Sequence, residues 1–535
     1  MRKNSLRGLA QCLLWGCVFA IEERDDCDPV FSTTTIFVTT TVYTPTPSNV
    51  TTSVSSPTAP WGNTTTTISS GIGTTISVPF GNTTITAIIP PTTISSSIGT
   101  TISVPFGNTT TSATVPFPPT TASSRTAPSA TPSDPFGVLP PVPPGPFRGF
   151  KNAAYFTNWG VNAGYHAQEL PVSELTHILY AFADIDPDGT VKSSDPSVDV
   201  QKRYPGDLKQ NGTGDAFGAV KQLFIHKKWN RNLKTLLSIG GWNYSPKFAA
   251  VAATDATRRK FATSAVKLIT DWGFDGIDLD WEYPSSDTEK VNFVKLLEEC
   301  RHALDRYSLL NGLKYRFTIS VASPASPVNY DKFDLTAMNK YVDSWHLMAY
   351  DYSGSWDTVS GHQANVFAYG GAPSKKLSTN DAIRYYEAHG IHPQKILMGL
   401  PLYGRAFEGT SGIGQNYSSV GEGGPQPGVW YYKDLPKAGA KVVYDDVAKA
   451  TYSYDASTKE LISYDNVQST TYKSQYLIHR NMGGAFFWEA SGDKAGAQSL
   501  INTMSKELRW LDETPNNLHY PTSQYRNIRW GMPGE

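Results

Sequence analysis

Cysteine is scarce, with four in 535 residues. Cys12 and Cys17 fall in an N-terminal apolar stretch, so Cys27 and Cys300 remain, too few for a disulfide framework or a zinc cluster. Charge is scarce as well, at 17% of residues, and 46 basic against 47 acidic side chains leave a formal charge of -1. That balance gives no electrostatic pull toward nucleic acid or an anionic membrane and favours a neutral partner. The apolar stretch Leu9–Phe19 is well short of the roughly 20 residues a spanning helix needs. It follows Arg2, Lys3 and Arg7, and Val18 and Ala20 supply small residues for cleavage, so residues 1–20 read as a secretory signal. The expected location is therefore extracellular or cell-wall associated. The C-terminal RNIRWGMPGE offers no apolar tail for a lipid anchor of the GPI type.

What is abundant is unevenly placed. Residues 21–147 are dominated by Thr, Ser and Pro and contain IGTTISVPFGNTT twice, at 72–84 and 98–110. Such composition buries little apolar surface and offers many hydroxyls for O-linked sugars, so it reads as an extended, disordered stalk. Asn49, Asn63, Asn82 and Asn108 each open an N-x-T sequon. The alternative is a small β-domain built from the Thr, Ile and Val runs. Beyond the Pro-rich LPPVPPGPFRGF the texture changes to short β-rich segments separated by amphipathic stretches.

Eight segments read as strands: NAAYFTNW, THILYAFADI, LKTLLSIGG, FDGIDLDWE, YRFTISVAS, VDSWHLMAY, KILMGLPLYG and MGGAFFWE. Between them, ATRRKFATSAVKLITDWG and TEKVNFVKLLEECRHALDRY return apolar residues every three or four positions, as helices do. Eight strands alternating with helices predict an α/β fold, a (β/α)8 barrel over residues 148–515. The widest gap carries its own strand-like pieces, which predicts a small α+β insertion at 406–470, between strands seven and eight. Residues 516–535 read as a C-terminal tail.

In GFDGIDLDWEYP, residues 273–284, Ile277, Leu279, Trp281 and Tyr283 alternate with Asp278, Asp280 and Glu282. The period of two makes a strand, and the three acids form a column about 6 to 7 Å per step. At the carboxyl end of a barrel strand such a column rises toward an active site, with Glu282 at the mouth. Buried like charges cannot all stay ionised, so protons are shared and Glu282 becomes a general-acid candidate. Acid cleavage of a glycoside also needs a nucleophile or a water activator across the anomeric carbon, and one strand cannot flank a sugar. A 2-acetamido group on the substrate can supply its own carbonyl oxygen, with Asp280 orienting its N–H.

The motif DGIDLDWEYP resembles the DxxDxDxE signature of glycoside hydrolase family 18, the chitinases, with Asp275, Asp278, Asp280 and Glu282 in its four slots. SIGGW at 238–242, LMAYD at 347–351, PLYGRAF at 401–407 and GGAFFWE at 483–489 fall on the expected strands in the expected order. The resemblance implies a retaining chitinase acting on chitin and N-acetylglucosamine oligomers, monomeric and without metal or other cofactor. It implies Glu282 as proton donor, Asp280 supporting the acetamido group through a proton shared with Asp278, and Tyr350 holding the acetamido carbonyl. Met348, Asp351, Tyr403 and Arg405 would shape the sugar pocket, Trp488 would be its floor, and Trp242 and Trp356 would stack sugars on the leaving side. Tyr155 and Tyr283 complete the substrate-binding set.

Asp275 lies ahead of the column and reads as a supporting residue, Gly240 and Gly241 as close-packing positions, and His177 and His346 as core histidines. Trp272, Trp345 and Trp510 read as ordinary core or surface residues. The sequon at Asn243 follows SIGGW too closely to leave room for a glycan, whereas Asn211 sits in a Gly-rich loop. Rival functions are a divalent-metal site, a non-catalytic chitin-binding or lectin-like wall protein, and an endo-β-N-acetylglucosaminidase. Ligands for a metal are missing from adjacent strand ends, and the presence of Glu282, Asp280 and Tyr350 argues against a dead barrel.

Overall fold

The computed structural model describes residues 147–207, 214–370 and 377–535, and within the Thr-rich segment the strands Thr51–Val54, Thr66–Gly71, Gly73–Phe80 and Thr83–Ile89. These four pair antiparallel in chain order as a sheet of their own. The 1–20 stretch, Cys27 and the sequons at Asn49, Asn63, Asn82, Asn108 and Asn211 lie outside the described residues.

Met1–Thr131 and Pro132–Glu535 are separate compact units. In the second, eight parallel strands close a barrel: β1 (Lys151–Thr157), β2 (His177–Ile185), β3 (Lys234–Gly240), β4 (Gly276–Asp280), β5 (Thr318–Pro324), β6 (Ser344–Met348), β7 (Ile396–Pro401) and β8 (Gly484–Trp488). β1 pairs with both β8 and β2, so the ring has no open edge, and Val191–Ser193 adds a short antiparallel ninth strand beside β2. All eight strands fall in the segments that alternation marks. Among the described residues no helix is long and apolar enough to cross a membrane.

The strand that matters most is delivered by helix punctuation. Helix Asp255–Trp272 starts at Thr254, whose side chain accepts the Thr257 N–H, and stops at Gly273 with φ of 72°. A Cβ on Gly273 would stand 2.5 Å from the Phe224 ring, so glycine is required on packing grounds too. β4 follows at once, and Ser286 caps the next helix, Asp287–Leu310, by accepting the Glu289 N–H. Along β4, Ile277, Leu279 and then Trp281 pack outward into the core shared by sheet and helices, while the barrel interior holds Tyr155, Leu179, Leu236, Leu397 and Phe486. Both faces are buried, yet the alternation survives because the inward face is polar.

Immediately after β7, Tyr403–Phe407 leaves the barrel and joins Val429–Tyr431, Lys441–Asp445, Ala450–Asp455 and Glu460–Ser463 in a five-stranded antiparallel sheet. The insertion therefore takes in Tyr403 and Arg405. Its helical part is one short turn, Tyr432–Asp434. Val467–His479, which begins inside 406–470, packs on helix Leu500–Leu508 and on β8 as a barrel helix.

Residues 516–535, read as a tail, cover the amino-terminal end of the barrel. Asn516 Nδ2 donates to the carbonyls of Lys227, Asn230 and Leu233, Tyr520 to that of Phe274 and Ser523 to that of Asp271. Ile528 and Met532 are buried in the main core. Few apolar residues mark the segment in sequence, since its anchors are amides and hydroxyls that find backbone carbonyls only in the fold.

Candidate active site

The acid column forms as the period requires. Asp278 is fully buried in the barrel, Asp280 is 3% exposed one step higher, and Glu282 is half-buried just past the strand end. Asp275, in the first slot of the motif, points the other way functionally: it sits at the amino-terminal end with Lys227 Nζ 2.7 Å away and both side chains inaccessible. The Thr235 and Asn517 N–H groups and the Tyr315 hydroxyl also donate to it. It is a supporting residue, as its position in the sequence suggests.

Donors from distant strands surround Asp278. Oδ2 accepts from Tyr155 at 2.9 Å and Ser238 at 2.7 Å, and Oδ1 accepts from Ser320 at 2.6 Å with His346 Nδ1 3.2 Å away. Burial alone would raise its pKa, but His346 and the two serine hydroxyls outweigh that, and the group titrates below the ordinary carboxylate range. Asp278 is an anion. Asp280 is the opposite case: burial first, then the charges of Glu282 and Asp278, push its pKa well above normal. Its Oδ1 is buried without a hydrogen-bond partner. Of the two acids expected to share a proton, the upper one is the one whose surroundings favour holding it.

Glu282 is raised to about 7, chiefly by burial, with Asp351 adding to the rise and a hydrogen bond from Tyr283 opposing it. Its own N–H donates to Ser245 Oγ at 2.7 Å, and that hydroxyl lies 3.2 Å from the Asp280 carbonyl, so one serine pins the strand end. Tyr350 is pushed well above a normal phenol by burial and by Tyr403, Asp280 and Glu282, so it keeps its proton at neutral pH. Gly399 makes room for it, since a Cβ there would stand 2.8 Å from the Tyr350 ring. Gly240 and Gly241 serve the same end at β3: their Cβ atoms would meet the Asp280 carbonyl at 2.3 Å and the Phe182 ring at 2.4 Å, both from positive φ.

Above these groups lies a cleft of about 1260 Å3. Asp280, Glu282, Tyr350, Tyr155, Trp242, Tyr283, Met348, Asp351, Trp356, Tyr403, Arg405 and Trp488 all line it, and Asp278 lies directly beneath. Asp351, at φ 61°, accepts from the Tyr403 hydroxyl at 2.6 Å and from Arg405 Nε and Nη2 at 2.6 and 2.7 Å. The Arg405 guanidinium in turn lies 4.7 Å from the Trp356 ring centre. Trp242 and Trp356 are 71% and 58% exposed, as aromatic rings awaiting an apolar face would be. Among the described residues no three His, Cys, Asp or Glu side chains could together hold a metal ion.

Several cleft residues are absent from the sequence-derived set. Trp159 closes the β1 segment NAAYFTNW and stands 6.3 Å from Trp488, while Phe182 stacks on Trp488 at 5.7 Å. The strand-end rule that selects Trp488 would have selected Trp159. Gln426 and Tyr431 reach the cleft from the insertion, and Glu489 from the residue after β8. His346 is more than a core histidine, since it faces Asp278. Its parity with Met348 on β6 was the available signal. His177 pairs with Thr176 Oγ1 at 2.8 Å and stays in the core. Asn243 lines the cleft, and Trp272 and Trp345 are buried while Trp510 is exposed at the surface.

The chain is 48% identical over 386 residues to "Endochitinase 1" of Metarhizium robertsii, covering 72% of this chain and 91% of that protein. It is 47% identical to "Chitinase 1" of Aphanocladium album over the same shares. Among solved structures, chitinase ChiA74 from Bacillus thuringiensis superimposes with a TM-score of 0.63 at 30% identity, over 70% of this chain and 71% of that one. The catalytic domain of psychrophilic chitinase B from Arthrobacter TAD20 gives 0.61 at 30% identity, over 68% and 96%. The sequence profile described as "Glycosyl hydrolases family 18" matches residues 151–493, the span that contains all eight barrel strands, the insertion and every cleft residue named above, and the chain belongs to that family.

Proposed function

We propose that this protein is a chitinase that hydrolyses β-1,4 links between N-acetylglucosamine units by a retaining mechanism in which the substrate's acetamido oxygen is the nucleophile. One observation carries the reading: Asp280 is buried, pushed toward its protonated form and has an Oδ1 without a partner, between an Asp278 already ringed by donors and a Glu282 raised to about 7. The other cleft carboxylates are engaged elsewhere. Asp351 is clamped by Arg405 and Tyr403, Asp357 accepts from Ser353 and the Gly354 N–H, and Glu489 accepts from Ser491 and Thr157. This supports a substrate-borne nucleophile over a second protein carboxylate.

In this reading Glu282 gives its proton to the glycosidic oxygen as that bond breaks. The acetamido carbonyl oxygen attacks the anomeric carbon from the other face and closes an oxazolinium ring, its N–H held by Asp280 and its oxygen by the Tyr350 hydroxyl. Glu282, now a carboxylate, takes a proton from water that opens the ring, and two inversions leave the β configuration. The relatives' printed names support chitin as substrate. The charged-then-apolar start of the sequence supports export, which N-terminal sequencing of protein from culture medium would test.

The decisive experiment uses partially deacetylated polymer. The new reducing ends should carry N-acetylglucosamine almost exclusively, and Tyr350→Phe should slow cleavage by loosening the hold on the carbonyl. Efficient cutting after plain glucosamine, or inversion in the first turnover, would defeat the reading.

A further inference from the structure

The site described so far does not account for His346. This side chain is 3% exposed, inside the barrel, and its ring packs on Phe486 with centres 5.3 Å apart. Nδ1 is buried and no well-aligned hydrogen bond reaches it; the polar atom it faces is Asp278 Oδ1, 3.2 Å away, close enough for the imidazole to act on that carboxylate. On β6 it shares the inward side of Met348, and Tyr350, just past the strand end, packs on the same inner cluster, so His346 stands below residues that line the cleft.

We infer that His346 is a positioning residue for the reaction: it completes a ring of donors from four strands that keeps Asp278 an anion and so leaves the working proton on Asp280. The inference rests on the substrate-assisted reading above. Tyr155 comes from β1, Ser238 from β3, Ser320 from β5 and His346 from β6. A carboxylate accepts about four hydrogen bonds; three hydroxyls donate to Asp278 and the imidazole stands 3.2 Å from Oδ1, so little of it is left to a proton held above. Three of the four donors are hydroxyls, whose hydrogens can rotate away. The imidazole N–H is fixed to a ring that Phe486 holds in place. Neutral with its hydrogen on Nδ1, or protonated, it favours the Asp278 anion either way.

The groups facing this pair are few. Asp278 and Asp280 approach from β4 and Tyr155 from β1, while His177 on β2 feels the charge of His346 and is itself depressed by burial and by Lys234 and Lys151. Removing the donor raises the affinity of Asp278 for a proton. The competent arrangement, one proton on Asp280 and none on Asp278, is then lost at a higher pH. The acid limb of kcat/KM should move up, while the alkaline limb, which reports Glu282, should stay.

The test compares pH profiles of the wild type, His346→Leu, His346→Phe and His346→Asn on a soluble N-acetylglucosamine oligomer. Leu and Phe should raise the acid limb by about one pH unit or more and lower kcat roughly tenfold with KM nearly unchanged. Asn, which keeps an N–H near the place of Nδ1, should bring the limb most of the way back. A histidine that merely packs would cost thermal stability and leave the limb alone, so an acid limb coinciding with wild type in a folded Leu or Phe variant overturns the inference. If neither folds, Ser320→Ala strips the same oxygen and must move the same limb upward, and an unmoved limb overturns it as well. Wild-type cleavage after plain glucosamine would instead defeat the mechanism, which these profiles do not measure.

Discussion

The two ends of one strand treat their acids in opposite ways. At the amino-terminal end of β4, Asp275 meets Lys227, whose three hydrogens go to Asp275 Oδ2 at 2.7 Å, the Gly273 carbonyl at 2.6 Å and the Tyr520 hydroxyl at 2.9 Å. Burial lowers the Lys227 pKa to about 8, with Asp275 opposing the fall, so the lysine keeps its charge at neutral pH. At the carboxyl-terminal end, no cation among the described residues pairs with Asp280 or Glu282, and burial pushes both carboxyls up, Glu282 to about 7. The lower acid is satisfied and supports the fold. The upper acids lack such a partner and are pushed toward the protonated form, which suits them to the acid role proposed above.

The sharpest way to break this contrast is Glu282→Gln, which keeps shape and removes the donated proton. Hydrolysis should fall by at least about 10² to 10⁴ while oligomer binding, measured by calorimetry, persists. Wild-type-like turnover would take Glu282 out of the mechanism. At the other end, Lys227→Met should act on stability instead. It strands a buried carboxylate at a cost of about 3 to 5 kcal/mol in denaturant unfolding, with turnover per folded molecule unchanged. A loss of turnover without a loss of stability would reverse the assignment.

Smaller effects sharpen the same division. Trp159→Ala should raise KM for long oligomers about 3- to 10-fold and leave short ones untouched, because one aromatic contact at the cleft edge is lost. Glu282 titrates near 4.5 unfolded and about 7 folded, so between those values the native state keeps a proton the unfolded chain has lost. Wild-type stability therefore falls as pH rises through that window. Glu282→Gln should escape the fall, so its melting temperature should gain on wild type up to about pH 7 and hold a constant lead above it. A lead that shrinks with rising pH would mean the acid is not protonated in the folded state. Removing residues 21–131 should change neither kcat nor melting of the barrel, since all eight barrel strands and the cleft belong to the unit Pro132–Glu535.

Much of the upper end could be read from local pattern. The alternation across 277–283, the eight β-rich segments and the strand-end aromatics are all short-range features, and they placed the column and most of the cleft. Trp159 escaped by oversight of the same rule. Gln426 and Tyr431 escaped for a physical reason: they belong to a sheet inserted after β7, and nothing in their own neighbourhood says which part of the barrel they overhang. The segment 516–535 escaped likewise, because Asn516 and Tyr520 are polar residues whose partners are carbonyls hundreds of positions away.

Sequence by itself therefore determined the strand, the face its acids share and their order toward the mouth, because side-chain direction in a β-strand depends only on parity. It could not determine which acid keeps the proton. That is decided by donors from β1, β3, β5 and β6, brought from 123 residues before Asp278 in the case of Tyr155 and 42 after it for Ser320, and by how much water closure of the barrel excludes. A carboxyl's proton affinity is set by the charges and dipoles within a few ångströms of it, and only the closed barrel assembles them.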